Sequence, residues 1–293
     1  MDRRAAPLNG RTALVTGASS GFGLLISLEL ARRGFRVAAC MRRPEASDPL
    51  RSAAREEGTG ERITVFRMDV TDETSVRSAV RLAAGQLGGS LDVLVNNAGA
   101  AWGGFAEEVP LDVWREQMET NFIGAVSVTR AVLPLMRERG QGRIIQMSSI
   151  SGVVGFPGFA PYAASKFALE GFSESLALEV RPFGIQVSIV EPGAYGTAIW
   201  DKGFARISAS PESPYASMLE ALLAYARRSA AGGGDPLEVA RRVGGIACSR
   251  RPKLRYRLPA SAALTMTARK WLPARWFGRL VLLALKGKNE NRP

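Results

Sequence analysis

The stretch TALVTGASSGFGLLISLELARRG, residues 12–34, decides the fold. Thr12 to Thr16 is a short apolar run of strand length, and from Leu24 onward the Leu, Ile and Ala positions recur with helical period. A glycine-rich segment, GASSGFG, joins the two. Strand, glycine turn and helix in that order point to a phosphate site. Gly17 permits the tight turn, Gly21 lets backbone approach a pyrophosphate, and Gly23 lets the helix pack closely on the strand. The N–H groups at the helix start, which lack helical partners, then face the phosphates. An ordinary βα turn rich in glycine carries the same letters, so the remaining chain has to decide between the two readings.

The pattern repeats. Arg36 to Met41 is a second strand running into Arg42 and Arg43. An acid at that place would bind a ribose 2′-hydroxyl, whereas arginine accommodates a 2′-phosphate, so NADP is preferred to NAD unless the two arginines merely reflect a basic chain. Residues 44–60 read as a helix, Ile63 to Met68 as a third strand, and Asp69 opens DVTDETSV, where Thr71 or Asp72 can cap a helix from Ser75 to Leu87. LDVLV, residues 91–95, is a buried-strand run that ends in the polar turn Asn96 to Gly99. Helix is expected from Leu111 to Arg139, interrupted by Pro134, with Asn121 inside it as a satisfied core group or a functional one. Arg143 to Met147 and Ile185 to Val190 are further strands flanking a helix from Pro161 to Arg181. Strand character is lost from 195 to 231, a candidate substrate flap with a helix from Pro214 to Ser229; Asp235 and Pro236 then start another helix, and Leu254 to Leu258 can add a strand. Strands alternating with helices predict an α/β fold: a doubly wound, Rossmann-type parallel sheet of about seven strands with helices on both faces. One catalytic domain is expected over residues 1–260, followed by a basic amphipathic helical extension over 261–293.

Composition narrows the chemistry. The chain has 293 residues and no histidine, which removes the commonest general base and every Ser/His triad. Cys40 and Cys248 stand far apart without metal spacing, so no metal site is expected and a reducing cytoplasm suits the chain. The net charge of +12 suggests anionic partners, but no basic run interleaved with aromatics marks a nucleic-acid module. No apolar run reaches the roughly 18 to 20 residues of a membrane span, and none of signal-peptide length precedes the first strand.

Proton transfer then falls to SSISGVVGFPGFAPYAASK, residues 148–166. Tyr162 and Lys166 are four residues apart, which on a helix places phenol and ammonium on one face, about 5 to 6 Å apart at Cβ. A cation held there would lower the phenol pKa from about 10.

With these motifs in this order, the chain resembles the short-chain dehydrogenase/reductase family, over about residues 8–260, and in character its retinol and 17β-hydroxysteroid dehydrogenase branch. The resemblance rests on TGASSGFG (16–23), Asp69 with Val70, the NNAG turn (96–99), and Asn121, Ser149, Tyr162 and Lys166, with Ser149 thirteen residues before the tyrosine. It implies NADP(H)-dependent interconversion of a carbonyl and its alcohol. Tyr162 would exchange the proton, Ser149 hold the oxygen, Lys166 bind the nicotinamide ribose and depress the tyrosine pKa, and Asn121 hold a water. Ser148 competes with Ser149, and only the family spacing separates them. Implied cofactor contacts are Gly17, Ser19, Ser20, Gly21, Phe22, Gly23, Arg42, Arg43, Asp69, Val70, Asn97, Ala98, Gly99, Tyr162, Lys166, Pro192, Gly193 and Thr197. A homo-oligomer, dimer or tetramer, is also expected.

The candidate pocket walls are apolar: Val153, Val154, Phe156, Phe159, Trp102, Phe105, Tyr195, Trp200 and Phe204, with Tyr195 expected to narrow the pocket. They suggest a small hydrophobic ketone, aldehyde or alcohol. In the extension, Trp271, Trp276, Phe277 and Leu280 to Leu285 are rimmed by Arg and Lys, which reads as a peripheral membrane contact, a cap on the pocket or a subunit contact. A dehydratase or epimerase on the same scaffold, or a nucleotide-binding protein without turnover, are the competing functions.

Overall fold

A computed structural model describes residues 10–196, 212–231, 233–259 and 271–286. Seven strands, β1 (Thr12–Thr16), β2 (Arg36–Met41), β3 (Ile63–Arg67), β4 (Val93–Asn96), β5 (Gly142–Met147), β6 (Ile185–Pro192) and β7 (Arg255–Leu258), form one sheet in the order β3-β2-β1-β4-β5-β6-β7. All six pairings are parallel. The α/β, doubly wound parallel sheet of the sequence reading is therefore present.

Helices cover both faces, which is why the strands read as unbroken apolar runs. Ala13 and Val15 of β1 join Val93 and Val95 of β4 beneath α1 (Gly21–Arg32) and α8 (Pro236–Cys248), packing with Ile26, Leu30, Val239 and Val243. The alternate residues, Leu14, Leu94 and Ile144, face α3 (Glu73–Gln86), α5 (Gly124–Glu138) and α6 (Ala160–Val180) through Val76, Val128 and Leu176. Strand order reverses between β1 and β4, so the connections leaving their carboxyl ends diverge to opposite faces and leave a crevice.

Two boundaries differ from the sequence reading. The helix expected to break at Pro134 breaks earlier: α4 (Leu111–Met118) passes into a π turn at Glu119–Ile123 and then α5, which contains Pro134. The wider turn carries Asn121, and such turns commonly mark functional sites. Asp72, not Thr71, caps α3, its carboxylate accepting from the N–H groups of Thr74 (2.8 Å) and Ser75 (3.2 Å). Among the described residues the remaining α-helices are α2 (Asp48–Glu56), α7 (Ala216–Ala231), which is the flap helix, and α9 (Ala274–Lys286) in the extension. Thr197, Trp200 and Phe204 lie outside the described residues. Among the described residues no helix is long and apolar enough to cross a membrane.

Candidate active site

The crevice is a cleft of about 590 Å³ at the carboxyl ends of the strands. Its floor is the glycine turn. Gly17 sits at φ +67°, where a Cβ would lie 2.8 Å from Ala98 Cα; a Cβ on Gly23 would come within 2.2 Å of the Gly17 carbonyl oxygen. Gly23 therefore works from behind, letting α1 approach the turn, and does not border the cleft. Ser20 stands at the start of α1 without a side-chain cap, and no acid occupies the first turn. The helix thus presents unpaired donors and the positive end of its dipole to the cleft.

Asn97 joins the two turns that sequence inspection could only place side by side. Its Nδ2 donates to the Thr16 carbonyl (2.9 Å) and the Gly17 carbonyl (3.3 Å). Thr16 answers with its hydroxyl, which accepts from the backbone N–H groups of Asn97 and Ala98, both at 2.9 Å. Asn96 is buried instead, its Nδ2 donating to Thr129 Oγ1 at 2.9 Å. Toward the β2 end the cleft is bordered by Arg42, Arg43, Asp69 and Val70, and the Asp69 carboxylate is fixed by the N–H (3.0 Å) and hydroxyl (2.8 Å) of Thr71. Ser19, Ser20, Gly21, Phe22, Ala98, Gly99, Pro192 and Gly193 also line it, as expected. Sequence inspection missed Thr16, Met41, Met68, Thr71 and Ala100, all lining residues. Each adjoins a recognised motif at a strand end, which is the signal that would have found them.

The reacting groups converge at the opposite end. Ser149, Tyr162 and Lys166 all line the cleft and are nearly fully buried. Ser149 Oγ accepts from Ser151 N–H at 3.1 Å and donates to the Pro192 carbonyl at 3.5 Å. Ser148 lines the cleft as well; its Oγ and Glu170 Oε1 are buried with no hydrogen-bond partner among the described residues, so the choice between the neighbouring serines still rests on the family spacing. Lys166 Nζ donates to the Met147 carbonyl at 2.8 Å and lies 5.8 Å from the Tyr162 ring centroid.

The depression of the tyrosine pKa expected of Lys166 together with a positively charged nicotinamide is not supplied by the protein groups alone. Burial pushes Tyr162 up to about 12, with the Ser149 hydrogen bond opposing. Burial also pushes Lys166 down to about 8, with Glu170 opposing. Loss of water is the largest cause of both shifts.

Asn121 stands behind the cleft. Its Oδ1 accepts from Ala100 N–H at 2.8 Å, and its Nδ2 donates to the Ala100 carbonyl (2.9 Å) and Ser165 Oγ (3.0 Å). Both amide hydrogens are thereby used, so its side chain positions the loop before α4. The Tyr195 ring is buried, edge-on to Phe22 at 5.7 Å between centroids, and its hydroxyl donates to Glu238 Oε2 at 2.9 Å. Tyr195 lines the cleft with its ring packed against the core.

A partly buried charge cluster adjoins Lys166. Arg255 pairs with Glu170, with Glu191 (2.6 Å) and with Glu174 (2.7 Å), and Arg257 pairs with Glu191 at 3.0 Å. Sequence reading assigned none of these a role.

Together these features fit a dinucleotide: a cradle a Cβ would fill, an uncapped helix start for a pyrophosphate, arginines at one end and a Ser–Tyr–Lys set at the other. A family model described as short chain dehydrogenase matches residues 11–207. YusZ, an uncharacterized oxidoreductase of Bacillus subtilis (strain 168), is 43% identical over 91% of this chain and 95% of its own length. A 3-ketodihydrosphingosine reductase of Bacteroides thetaiotaomicron is 36% identical over 89% and 92% of the two chains. Human retinol dehydrogenase 8 is 38% identical over 86% and 81%. The chain belongs to the short-chain dehydrogenase/reductase family, oxidoreductases that act on CH–OH and C=O groups with a nicotinamide cofactor.

Proposed function

We propose that this protein is an NADP(H)-dependent oxidoreductase that interconverts a hydrophobic ketone or aldehyde and its alcohol. The observation that carries the reading is the convergence of Ser149, Tyr162 and Lys166 on the cleft, with the Lys166 ammonium 5.8 Å from the Tyr162 ring centroid. When bound, the nicotinamide supplies or accepts the hydride and, oxidised, brings a positive charge to the site. Tyr162 gives its hydroxyl proton to the carbonyl oxygen during reduction and takes it back during oxidation. Ser149 donates a hydrogen bond to the same oxygen, where charge develops in the transition state. Lys166, charged below about pH 8, stabilises the phenolate that remains. At an effective dielectric near 20 and about 5 Å, that attraction supplies roughly 3 kcal/mol, or about two pKa units. Starting from about 12, the phenol needs further positive charge to reach neutrality.

Preference for the 2′-phosphorylated cofactor is supported by Arg42 and Arg43, both exposed at the cleft edge, with no acid at the end of β2. An apolar substrate is supported by Trp102 in the cleft and by the buried Phe105 and Phe159 nearby, and by the retinol and the 3-ketodihydrosphingosine in the names of two relatives. Cys40 and Cys248 are free thiols, in keeping with a cytoplasmic enzyme. Exposed apolar residues Ile123 and Leu178 support a homo-oligomer.

Apolar ketones, aldehydes and alcohols assayed with NADPH/NADP and NADH/NAD in parallel test the reading. Tyr162→Phe should lower kcat about 10²- to 10⁴-fold with cofactor affinity nearly unchanged; full activity in that variant would sink the mechanism. Arg42→Ser with Arg43→Ser should raise KM for NADPH roughly tenfold or more and leave that for NADH nearly unchanged, each charge-assisted bond being worth about 1.5 to 3 kcal/mol. Equal loss for both cofactors would remove the NADP assignment.

A further inference from the structure

The extension helix α9 packs against the flap helix α7 with one side and leaves another side open. Phe277, Gly278 and Val281 are half-buried. Trp276, Leu280 and Leu283, spaced at i, i+4 and i+7, are 57%, 51% and 65% exposed. They form a stripe along the helix, and Trp271, 79% exposed, stands just before it. Arg275 and Arg279 are exposed beside the stripe, the Arg279 guanidinium 5.9 Å from the Trp276 ring centroid. Residues 261–289 contain six Arg or Lys and no Asp or Glu, so they carry half of the +12 net charge in about a tenth of the chain.

Charge decides what covers this stripe. A second copy would bring the same cationic segment against it. Anionic lipid offers both hydrocarbon for Trp and Leu and negative headgroups for Arg, the combination that holds a helix in the membrane surface. The partner of α9 packs on the apolar candidate pocket walls. In α7, Leu222 is 2% exposed and packs on Phe159, with Phe156 against both. Just before α7, Tyr215 stacks on Phe105 with ring centroids 4.4 Å apart. The loops bearing Phe105 and Phe159 are joined by the Gly104 N–H donating to the Gly158 carbonyl at 2.9 Å, and Phe159 immediately precedes the helix that carries Tyr162.

We propose that α9 lies in an anionic lipid surface and that α7, carried on it, admits the apolar substrate to the pocket directly from the lipid. This rests on the reductase reading for its substrate. The full-length protein is sedimented with phosphatidylglycerol-containing vesicles and with pure phosphatidylcholine vesicles, at low and high salt. Binding to the first at low salt, reduced about tenfold or more by salt or by phosphatidylcholine, is expected. Absence of binding overturns the proposal. Leu280→Ser with Leu283→Ser, and separately Arg275→Glu with Arg279→Glu, should each abolish vesicle binding while leaving turnover of a short, water-soluble carbonyl unchanged. Turnover of a long-chain carbonyl held in the vesicles should fall about tenfold in both. Unchanged turnover of the vesicle-held substrate overturns delivery from lipid. A drop to a smaller species in sedimentation velocity, with vesicle binding retained, assigns the stripe to a subunit contact and overturns the proposal. Vesicle binding lost in both variants, with no carbonyl turned over by the unaltered protein, supports the lipid surface and overturns the reductase reading instead.

Discussion

Lys166 is where charge and burial are most finely opposed. It is held near 8, against an ordinary lysine value of 10.5, because burial disfavours the ammonium more than Glu170 favours it. Between about 8 and 10.5 the unfolded chain binds the extra proton, so this residue makes stability rise with pH across that window. Glu170 stands one helical turn further along α6 and belongs to the cluster around Arg255. Replacing its charge should therefore reach the reaction through the lysine. In Glu170→Gln the inflection of kcat/KM assigned to Lys166 is expected to move to lower pH, while the substrate contacts at Ser149 and Tyr162 stay intact. A pH profile superimposable on that of the unaltered enzyme would show that Glu170 serves only the fold.

The β1–turn–α1 unit depends on close approach of backbone to backbone. A methyl group at position 23 would meet the Gly17 carbonyl at 2.2 Å and Asn97 Nδ2 at 2.5 Å. One of these is main chain and the other holds the neighbouring turn, so neither can yield cheaply. Gly23→Ala should destabilise by about 1 to 3 kcal/mol, the usual range for overpacking, and weaken cofactor binding as the turn shifts. Urea unfolding and cofactor titration check both parts; unchanged midpoint and affinity would contradict the close approach. The π turn between α4 and α5 is the second unit of this kind. Its extra residue aims Asn121 at Ala100, holding the loop that leads to Trp102.

Across the sheet, Arg255 links elements that are distant in sequence. From the edge strand β7 it reaches Glu191 at the end of β6 and Glu170 and Glu174 on α6, residues 64 to 85 positions away. Arg255→Ala strands Glu170 and Glu191 with less positive charge, and breaking a buried pair in this way costs roughly 3 to 5 kcal/mol. Burial already pushes Glu170 up from its ordinary value, and Arg255 is the cation that opposes this. Without it, the ionised carboxylate is disfavoured in the folded state, so the deficit is full at neutral pH and narrows as acid protonates the group. Thermal or urea unfolding at about pH 8 and about pH 5 checks this; an equal deficit at both would exclude Glu170 as its source.

The glycine turn, the strand and helix order and the Tyr162–Lys166 spacing were legible because each depends on neighbours in the chain. Periods of two and 3.6 residues, capping positions and required glycines are local properties. The same letters gave Thr16, Glu238 and Glu170 no role. Those matters depend on contacts between elements: Arg255 pairing with Glu170 beside Lys166, Glu238 accepting from the Tyr195 hydroxyl, Thr16 and Asn97 locking two turns together. The direction of the tyrosine shift belongs with them. Spacing put a cation near the phenol, but only the packed interior shows how much water both have lost, and desolvation is the larger effect.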